Sequence, residues 1–251
     1  MNLGIEGKTA IVTGASSGLG KAIAEAFAGE GVRLVTCARR AELLQANALE
    51  LEQKYSATVR AVPGDLRNRG DVQKLLLAAR ELGGPDILVI NTGRPPVPLR
   101  EILNEREEDR WKMAYETQLW GAALLVQEIV PVLVERRWGR VIGVTSASVK
   151  HPMPHHGLST IFRAGVTGML KHLANEVGAS GVTVNSVCPG SIATASMASY
   201  DMEARLRGLP LHRLGEPSEL ASAVLYFSSQ QAGFITGASL QVDGGGVGSL
   251  C

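Results

Sequence analysis

Three glycines near the start of the chain have the spacing of a phosphate-binding turn. They are Gly14, Gly18 and Gly20, within the stretch VTGASSGLGKAIAEAF at residues 12–27. An apolar, β-branched run precedes the turn and a helical pattern follows it, so backbone N–H groups of the turn lie at the positive end of a helix. Because glycines have no Cβ, a ligand can approach the backbone closely. The pattern predicts binding of an anionic diphosphate, and a tight strand-to-helix turn without a ligand is the alternative.

Two arginines follow the second apolar run and bear on which dinucleotide binds. Arg39 and Arg40 stand in TCARRAELL (36–44), and the end of this run carries no acidic residue. An Asp or Glu there would accept a hydrogen bond from the ribose 2′-OH of NAD, whereas the 2′-phosphate of NADP calls for cationic donors. Arginine binds phosphate in a bidentate way. The sequence favours NADP(H) over NAD(H), unless both arginines are only solvated charge at a helix start.

Seven short apolar runs must form the strands that position these residues. Helical segments with one apolar stripe lie between the runs, so each helix covers something. Since the runs are nearly continuous in apolar residues, both faces of the sheet are expected to be covered. This predicts an α/β fold, a Rossmann-type doubly wound, seven-stranded parallel sheet with helices on both faces. The predicted strands are residues 9–14, 32–37, 57–62, 86–91, 140–145, 182–187 and 239–243.

Length and composition limit the classes of protein that fit. The 251 residues are expected to form a single dinucleotide-binding domain (1–251), with a substrate lid at about 189–213, the longest stretch without a clear period. A net charge of +1 and 20% charged residues give no broad reason to expect nucleic acid or membrane as a partner. Three cysteines without paired or metal-ligand spacing predict neither disulfides nor a metal site. We expect a cytoplasmic protein that acts on a small molecule.

Five segments in consistent order resemble the short-chain dehydrogenase/reductase family over essentially the whole chain. TGASSGLG (13–20) is similar to its Gly-x-x-x-Gly-x-Gly motif, and GDL (64–66) to its adenine-contacting turn. INTG (90–93) stands where the family has Asn-Asn-Ala-Gly. Residues 175–194 resemble the sixth-strand segment with its Pro-Gly-x-x-x-Thr loop, and residues 215–246 the C-terminal signature. The resemblance implies these cofactor-binding residues: Gly14, Ser16, Ser17, Gly18, Leu19, Gly20, Arg39, Arg40, Asp65, Leu66, Asn91, Gly93, Arg163, Pro189, Gly190, Ile192 and Thr194.

The resemblance also implies hydride transfer between a nicotinamide and a carbonyl or alcohol carbon. In the family a Tyr supplies the proton, a Lys four residues later lowers its pKa, a Ser orients the substrate oxygen and an Asn supports a proton relay. Alignment on GRVIGVTSAS (139–148) puts the Ser role at Ser146. The Tyr position then falls on Ser159, the Lys position on Arg163 and the Asn position on Gln118.

These replacements change the expected chemistry. A serine hydroxyl is far less acidic than a phenol and lies closer to the backbone, so Ser159 should not replace the Tyr directly. Arg163 keeps its positive charge and could still bind ribose hydroxyls, but it does not release a proton. His156 is the first substitute donor because imidazole titrates near neutrality. His155, Tyr115 and Tyr200 are further candidates, and for all four the ordinary role is surface or packing.

Two function classes remain open on these residues. One is an NADP(H)-dependent oxidoreductase with a displaced or water-mediated proton donor. The other is a nucleotide-binding family member without redox turnover, a sensor or a subunit of an assembly. A relation to halide-eliminating relatives of the family ranks last. Those relatives keep the Tyr and have lost the nucleotide site, whereas this sequence keeps the nucleotide motifs and lacks the Tyr.

The partners are only partly constrained. Family helices commonly pair between subunits, which implies a homotetramer or homodimer, although the apolar residues concerned could equally pack within one chain. The substrate is not identified by the pocket loops at 91–103, 150–158 and 196–210. Arg94 and Arg100 could meet an acidic substrate or be solvated loop charge. The apolar residues in question are Trp111, Leu119, Trp120, Phe162 and Met169.

Overall fold

The computed structural model describes residues 2–195, 197 and 202–249. Its seven strands form one sheet in the order β3-β2-β1-β4-β5-β6-β7, and every neighbouring pair is parallel. The predicted doubly wound, seven-stranded sheet is therefore confirmed. The strands are β1 (Thr9–Thr13), β2 (Arg33–Ala38), β3 (Val59–Pro63), β4 (Ile87–Asn91), β5 (Gly139–Val144), β6 (Val182–Pro189) and β7 (Ser239–Val242).

Helices cover both faces of this sheet, as the continuous apolar strands require. A long helix runs through α4, a π-helical stretch at Tyr115–Trp120 and α5 without a break. The α-helices are α1 (Gly18–Gly29), α2 (Ala41–Tyr55), α3 (Arg69–Glu81), α4 (Glu108–Ala114), α5 (Gly121–Glu135), α6 (Gly157–Val177), α7 (Met202–Arg207) and α8 (Pro217–Ser228).

Two apolar clusters lie on opposite faces of the sheet. Side chains alternate along a strand, so Val12 of β1 packs in the cluster with α1, α2 and α8, while Ile11 packs in the cluster with α3, α5 and α6. Phe27 of α1 and Leu125 of α5 are both 0% exposed in their respective clusters. The core therefore lies on both faces of the sheet and fixes the helices against the strands whose ends carry the candidate site.

The long helix from Glu108 to Glu135 would pass a test for a membrane span on length and composition alone. Of its most apolar 18-residue window, 44% is buried inside the protein. Core helices of globular proteins pass the same test, so this feature is weak evidence for a membrane.

Parallel strands bring their carboxyl ends to one edge of the sheet. The strand order places β1 and β4 side by side although their connections leave in opposite directions, to β2 on one side and β5 on the other. In open α/β sheets ligands bind in the crevice outside the carboxyl ends at such a switch point. The candidate site is therefore expected between the turns that follow β1 and β4.

Candidate active site

The glycine-rich turn after β1 has a backbone that side chains would obstruct. Gly14 and Gly18 have φ angles of +64° and +56°, in the left-handed region that glycine adopts readily. A Cβ on Gly14 would lie 2.7 Å from Nδ2 of Asn91, and a Cβ on Gly20 would collide with the carbonyl oxygen of Gly14. The turn therefore packs tightly against the end of β4, and its glycines are required by the fold as well as by any ligand.

Asn47 holds the turn from behind. This residue of α2 is 5% exposed, and its Nδ2 donates to the carbonyl oxygens of Ala15 at 3.3 Å and Ser16 at 3.0 Å. The carbonyl groups of the turn thus point toward the protein. The sequence analysis did not predict a role for Asn47. The signal that could have found it is its position as a polar residue on the apolar face of α2.

Arg40 lies over the turn, where the sequence placed a phosphate. Its Nη2 donates to Oγ of Ser16 at 3.0 Å and Oγ of Ser17 at 2.6 Å. Ser17 precedes α1 as its N-cap residue, yet its side chain makes no capping hydrogen bond to the helix. The first N–H groups of α1 are therefore not capped by this hydroxyl, and a cation lies beside them. Arg39 is exposed next to it.

The end of β3 carries the predicted adenine contacts. The Asp65 carboxylate accepts hydrogen bonds from the backbone N–H of Arg67 and from its guanidinium, with Nη2 at 2.6 Å. The Arg67 guanidinium holds the pKa of the Asp65 carboxyl below its usual range. Leu66 contacts the start of α5, since a Cβ on Gly121 would lie 3.1 Å from Cβ of Leu66. A surface cavity of about 460 Å³ opens here, lined by Asp65, Arg67, Asn68, Asp71, Glu116 and Trp120.

The end of β4 is fixed by Thr13 of the neighbouring strand. Its Oγ1 donates to the carbonyl oxygen of Val89 or Asn91, at 3.2 and 3.1 Å, and accepts from the N–H of Asn91 at 3.0 Å. Asn91 is thereby held against Gly14 and Gly20. Gly93 follows against the π-helical stretch of the long helix, where a Cβ would lie 3.3 Å from Cβ of Thr117.

Arg163 of α6 reaches the same edge of the sheet. Its Nη1 donates to the carbonyl oxygens of Val144 at 3.0 Å and Thr145 at 2.8 Å, and its Nη2 donates to that of Gly93 at 3.3 Å. Burial first, and then the positive charge of Arg94, lower the pKa of Arg163 to about 10. The guanidinium is therefore charged at neutral pH and ties the loops after β4 and β5 together.

Two serines are candidates near Arg163, one on the loop after β5 and one on α6 itself. Ser146 is the N-cap of a short 3₁₀ turn (Ala147–Val149), and its Oγ accepts from the N–H of Ser148 at 3.1 Å, which leaves its own O–H to donate. Ser159 is in the first turn of α6 and is 6% exposed. Its hydroxyl forms no hydrogen bond with any described residue.

Gln118 is enclosed in the π-helical stretch of the long helix. It is 0% exposed, and neither its Nε2 nor its Oε1 has a hydrogen-bond partner among the described residues. A buried amide without partners is costly, so we expect ordered water or a bound group to satisfy it. π-helical turns inside α-helices are frequent at functional sites.

His156 lies at the entrance of α6, one residue before the helix. Its Nδ1 is 2.8 Å from the carbonyl oxygen of Pro154, and a carbonyl can only accept, so Nδ1 carries the proton in the neutral ring. Burial, and then the charges of Arg205, His155 and Arg94, lower the pKa of His156, against the opposing hydrogen bond to Pro154. At neutral pH the ring is uncharged and its Nε2 is a proton acceptor.

The other candidate donors are less well situated. His155 is exposed and its Nδ1 lies 3.1 Å from Oε1 of Glu101. Tyr115 is 41% exposed and packs against the rings of Phe162 and Trp120, so its role is packing. Tyr200 lies outside the described residues.

The segment after β6 lies beside the glycine-rich turn. Pro189 is the last residue of β6, and a Cβ on Gly190 would lie 2.6 Å from Cβ of Asp243. A Cβ on Gly18 would lie 3.7 Å from Cγ2 of Thr194, so Thr194 stands over the start of α1. Ile192 forms a bridge with Gly215, which anchors the segment.

Comparison with known proteins agrees with this geometry. The family model described as "Enoyl-(Acyl carrier protein) reductase" matches residues 14–246. A 3-oxoacyl-[acyl-carrier-protein] reductase of Vibrio cholerae is 35% identical over 249 residues, which cover 97% of this chain and 98% of the relative. Nodulation protein G of a Rhizobium species is 34% identical over 245 residues, covering 96% and 97%. The chain belongs to the short-chain dehydrogenase/reductase family.

Solved structures of oxidoreductases superimpose on this chain over nearly its whole length. L-sorbose reductase of Gluconobacter frateurii, in complex with NADPH and L-sorbose, superimposes with a TM-score of 0.93 at 30% identity and full coverage of both chains. A short-chain type dehydrogenase/reductase of Mycobacterium ulcerans has a TM-score of 0.92 at 25% identity, covering 98% of this chain and 91% of that one. Membership in an oxidoreductase family with a nucleotide cofactor follows from these likenesses.

Proposed function

We propose that this family member is an NADP(H)-dependent oxidoreductase that interconverts a carbonyl compound and an alcohol, with a proton donor other than the usual tyrosine. The observation that carries the cofactor assignment is the Arg40 guanidinium, hydrogen-bonded to both serines of the glycine-rich turn at 2.6 and 3.0 Å. A 2′-phosphate beside this turn would meet a cation and two hydroxyls. The NADPH bound by the sorbose reductase supports the same choice.

The residues at the sheet edge fit a dinucleotide. Gly14 and Gly20 let the turn pack tightly against Asn91 at the end of β4. The N-terminus of α1, which the Ser17 side chain does not cap, supplies N–H groups and a partial positive charge for a diphosphate. Asp65 and Leu66 would meet the adenine, and Thr194 the far side of the diphosphate. When bound, the nicotinamide would supply or accept the hydride.

This chain's own residues would orient the substrate and move the proton. Oγ of Ser146 accepts from the N–H of Ser148, so its own O–H is available to donate to a substrate oxygen. Arg163, held by three backbone carbonyls, would keep the loops after β4 and β5 in register and offer its remaining N–H groups to ribose hydroxyls. Ser159 would stabilise a water at the oxygen rather than give up a proton itself.

His156 is the side chain that we assign to the proton step. With Nδ1–H bonded to Pro154, its neutral ring accepts a proton, which suits alcohol oxidation at neutral pH. Carbonyl reduction would need the protonated ring or a proton from water. Gln118, whose buried amide has no partner among the described residues, would orient such a water.

We also propose a cytoplasmic homotetramer or homodimer built from one domain of residues 1–251, with a substrate lid at about 189–213. The apolar surface of the long helix and α6 supports association, because Met113, Tyr115 and Ile161 are each more than 40% exposed. Light scattering on purified protein measures the oligomer size. A monomer at micromolar concentration would contradict this part.

The experiment for the main proposal is a fluorescence titration with NADPH and NADH, followed by oxidation of NADPH against a panel of aldehydes and ketones. We expect tighter binding of NADPH and measurable turnover of at least one carbonyl compound. Tight NADPH binding without turnover by any compound would favour the nucleotide-binding class instead. Folded protein with no affinity for either dinucleotide would contradict both.

A further inference from the structure

An unpaired arginine stands at the mouth of the substrate crevice. Arg94 directly follows Gly93, whose carbonyl oxygen accepts a hydrogen bond from Arg163. It is exposed, and within the described residues it forms no hydrogen bond or ion pair. Two cations thus lie near the end of β4: the guanidinium of Arg163, partly buried against backbone carbonyls, and the exposed side chain of Arg94.

The loop that carries Arg94 is held against the start of α6. Arg100 forms a backbone bridge with His156, and the loop's far end is anchored by Arg110, whose Nη2 donates to the carbonyl oxygen of Pro98 at 2.7 Å. The charge of Arg94 also lowers the pKa of Arg163, on α6, and of His156, the N-cap residue of the same helix. Arg94 is therefore placed by the fold and is not a residue of a distant surface loop.

The nearby carboxylates do not neutralise these cations. The three acidic side chains within residues 101–107 each form an ion pair with a residue other than Arg94 or Arg163. Among the described residues, none pairs with Arg94 or Arg163. Like charges held close without a counterion destabilise each other, and a ligand anion would remove that cost. The existing pairs are Glu101 with His155, Glu105 with Arg110 and Glu107 with Arg100.

We propose that the substrate is an anionic carbonyl or alcohol compound, with a carboxylate or phosphate group that Arg94 binds at the mouth of the crevice. This inference rests on the proposed oxidoreductase function and deepens it by naming the substrate class. Arg163 contributes positive potential from behind but stays bonded to the backbone. The anion would bind in a bidentate way, as guanidinium groups bind carboxylates and phosphates.

The kinetic test compares matched carbonyl compounds that differ only in charge. NADPH oxidation is measured with oxo acids and with their methyl esters, and with phosphorylated and unphosphorylated keto sugars. We expect Arg94→Gln to raise KM for the anionic member of a pair by about tenfold or more, while KM for the neutral member stays unchanged. Arg94→Lys should restore part of the loss. Equal effects on both members, or equal wild-type kcat/KM for both, would overturn the inference.

The matched control is Arg100→Gln, which removes an arginine from the same loop. Arg100 is already paired with Glu107 at 2.6 Å, so we expect its loss to leave the preference for anions intact. If Arg100→Gln abolished the preference as strongly as Arg94→Gln, general loop charge would replace a specific site as the explanation.

A binding measurement separates this inference from failure of the proposed function. Malonate and, separately, inorganic phosphate are added to the NADPH-loaded wild-type protein, and the unfolding temperature is recorded. We expect one of the two anions to raise it in the wild type and in Arg100→Gln but not in Arg94→Gln, which also distinguishes carboxylate from phosphate. No rise with either anion in NADPH-loaded wild type would overturn the inference. Failure to bind NADPH at all would instead count against the proposed function.

Discussion

Nη1 of Arg163 donates to the carbonyl oxygen of Thr145 at 2.8 Å, although the two residues belong to different elements. The bond places a permanent cation against the carboxyl end of β5, one residue before Ser146. A lysine has a point charge and no planar fork, so it would not reproduce the simultaneous contacts to Val144 and Gly93. The position assigned to the family's lysine therefore serves here to join two loops.

The first prediction concerns restoring the usual proton donor. Ser159→Tyr combined with Arg163→Lys should raise kcat for carbonyl reduction at least tenfold, since positioned acid catalysis contributes about 10²–10⁴ in rate. Each single substitution should gain less than the pair, because the lysine acts by lowering the pKa of the phenol. Steady-state rates with saturating NADPH measure this. A folded double variant no faster than wild type would contradict this prediction.

The second prediction concerns the 2′-phosphate. Arg40→Gln removes the cation that lies on Ser16 and Ser17 and should weaken NADPH binding by about tenfold to a hundredfold. Arg39→Asp should weaken it as well and shift preference toward NADH, because a carboxylate repels the phosphate. Fluorescence titration gives both dissociation constants. The control is Arg80→Gln, which removes an arginine from the last turn of α3. A preference for NADPH that survives both Arg40→Gln and Arg39→Asp would contradict the assignment.

The third prediction tests the close approach of the glycine turn. Gly20→Ala puts a methyl group against the carbonyl oxygen of Gly14 and should destabilise the protein by about 1–3 kcal/mol, with a loss of NADPH affinity. Gly168→Ala is the matched control, because a Cβ on that helical glycine would have no neighbouring atom within 4 Å. It should stabilise by about 0.5–1 kcal/mol. Urea unfolding measures both, and equal behaviour of the two variants would refute the packing argument.

The fourth prediction concerns the buried ion pair that anchors the substrate loop. Nε of Arg110 lies 2.6 Å from Oε2 of Glu105, and the two residues are 8% and 6% exposed. Glu105→Gln should lower the free energy of unfolding at pH 7 by about 3 kcal/mol, since it leaves a buried guanidinium without its partner. Glu50→Gln, which breaks the exposed pair with Lys21, should change it by about 0.5 kcal/mol or less.

The pH dependence of this pair has a definite sign. The hydrogen bond from Arg110 holds the pKa of Glu105 below its usual value of 4.5 in the folded protein. The stabilisation is therefore complete above that unfolded pKa and is lost as the pH falls through the folded pKa. The difference between wild type and Glu105→Gln should shrink in acid. A difference that stays constant from pH 7 to pH 3 would contradict this account.

The fifth prediction concerns His156. Burial lowers its pKa from 6.5, so the fraction that can donate a proton rises only in acid, below that value. If the ring gives the proton in reduction, kcat/KM should rise as the pH falls below 6.5, and His156→Phe should flatten the profile. His155→Phe, on an exposed residue beside Glu101, should leave it unchanged. Full activity and an unaltered pH profile in His156→Phe would show that His156 is not the proton donor and would favour water as the donor.

Much of the fold was predictable because local pattern and burial agree. Each of the seven predicted strands is present within two residues of its bounds, since the runs are nearly continuous in apolar residues and the sheet is covered on both faces. The glycine turn was also readable, as its backbone conformation depends on residue types at adjacent positions. The role of Asn47 was not predictable, because it depends on hydrogen bonds to the carbonyl groups of Ala15 and Ser16, which are distant in the sequence.

The sequence by itself determined the family, the parallel sheet, the phosphate-binding turn and the positions of Arg39, Arg40, Ser159 and Arg163, because these follow from residue type and spacing along the chain. Tertiary structure alone decided that Arg163 bonds to backbone carbonyls, that Gln118 is enclosed without a partner among the described residues, and that Arg94 is exposed without a hydrogen bond or ion pair to any of them. Hydrogen bonds and charges between elements depend on distances in space, and a chain's order of residues does not fix those distances until the helices pack on the sheet.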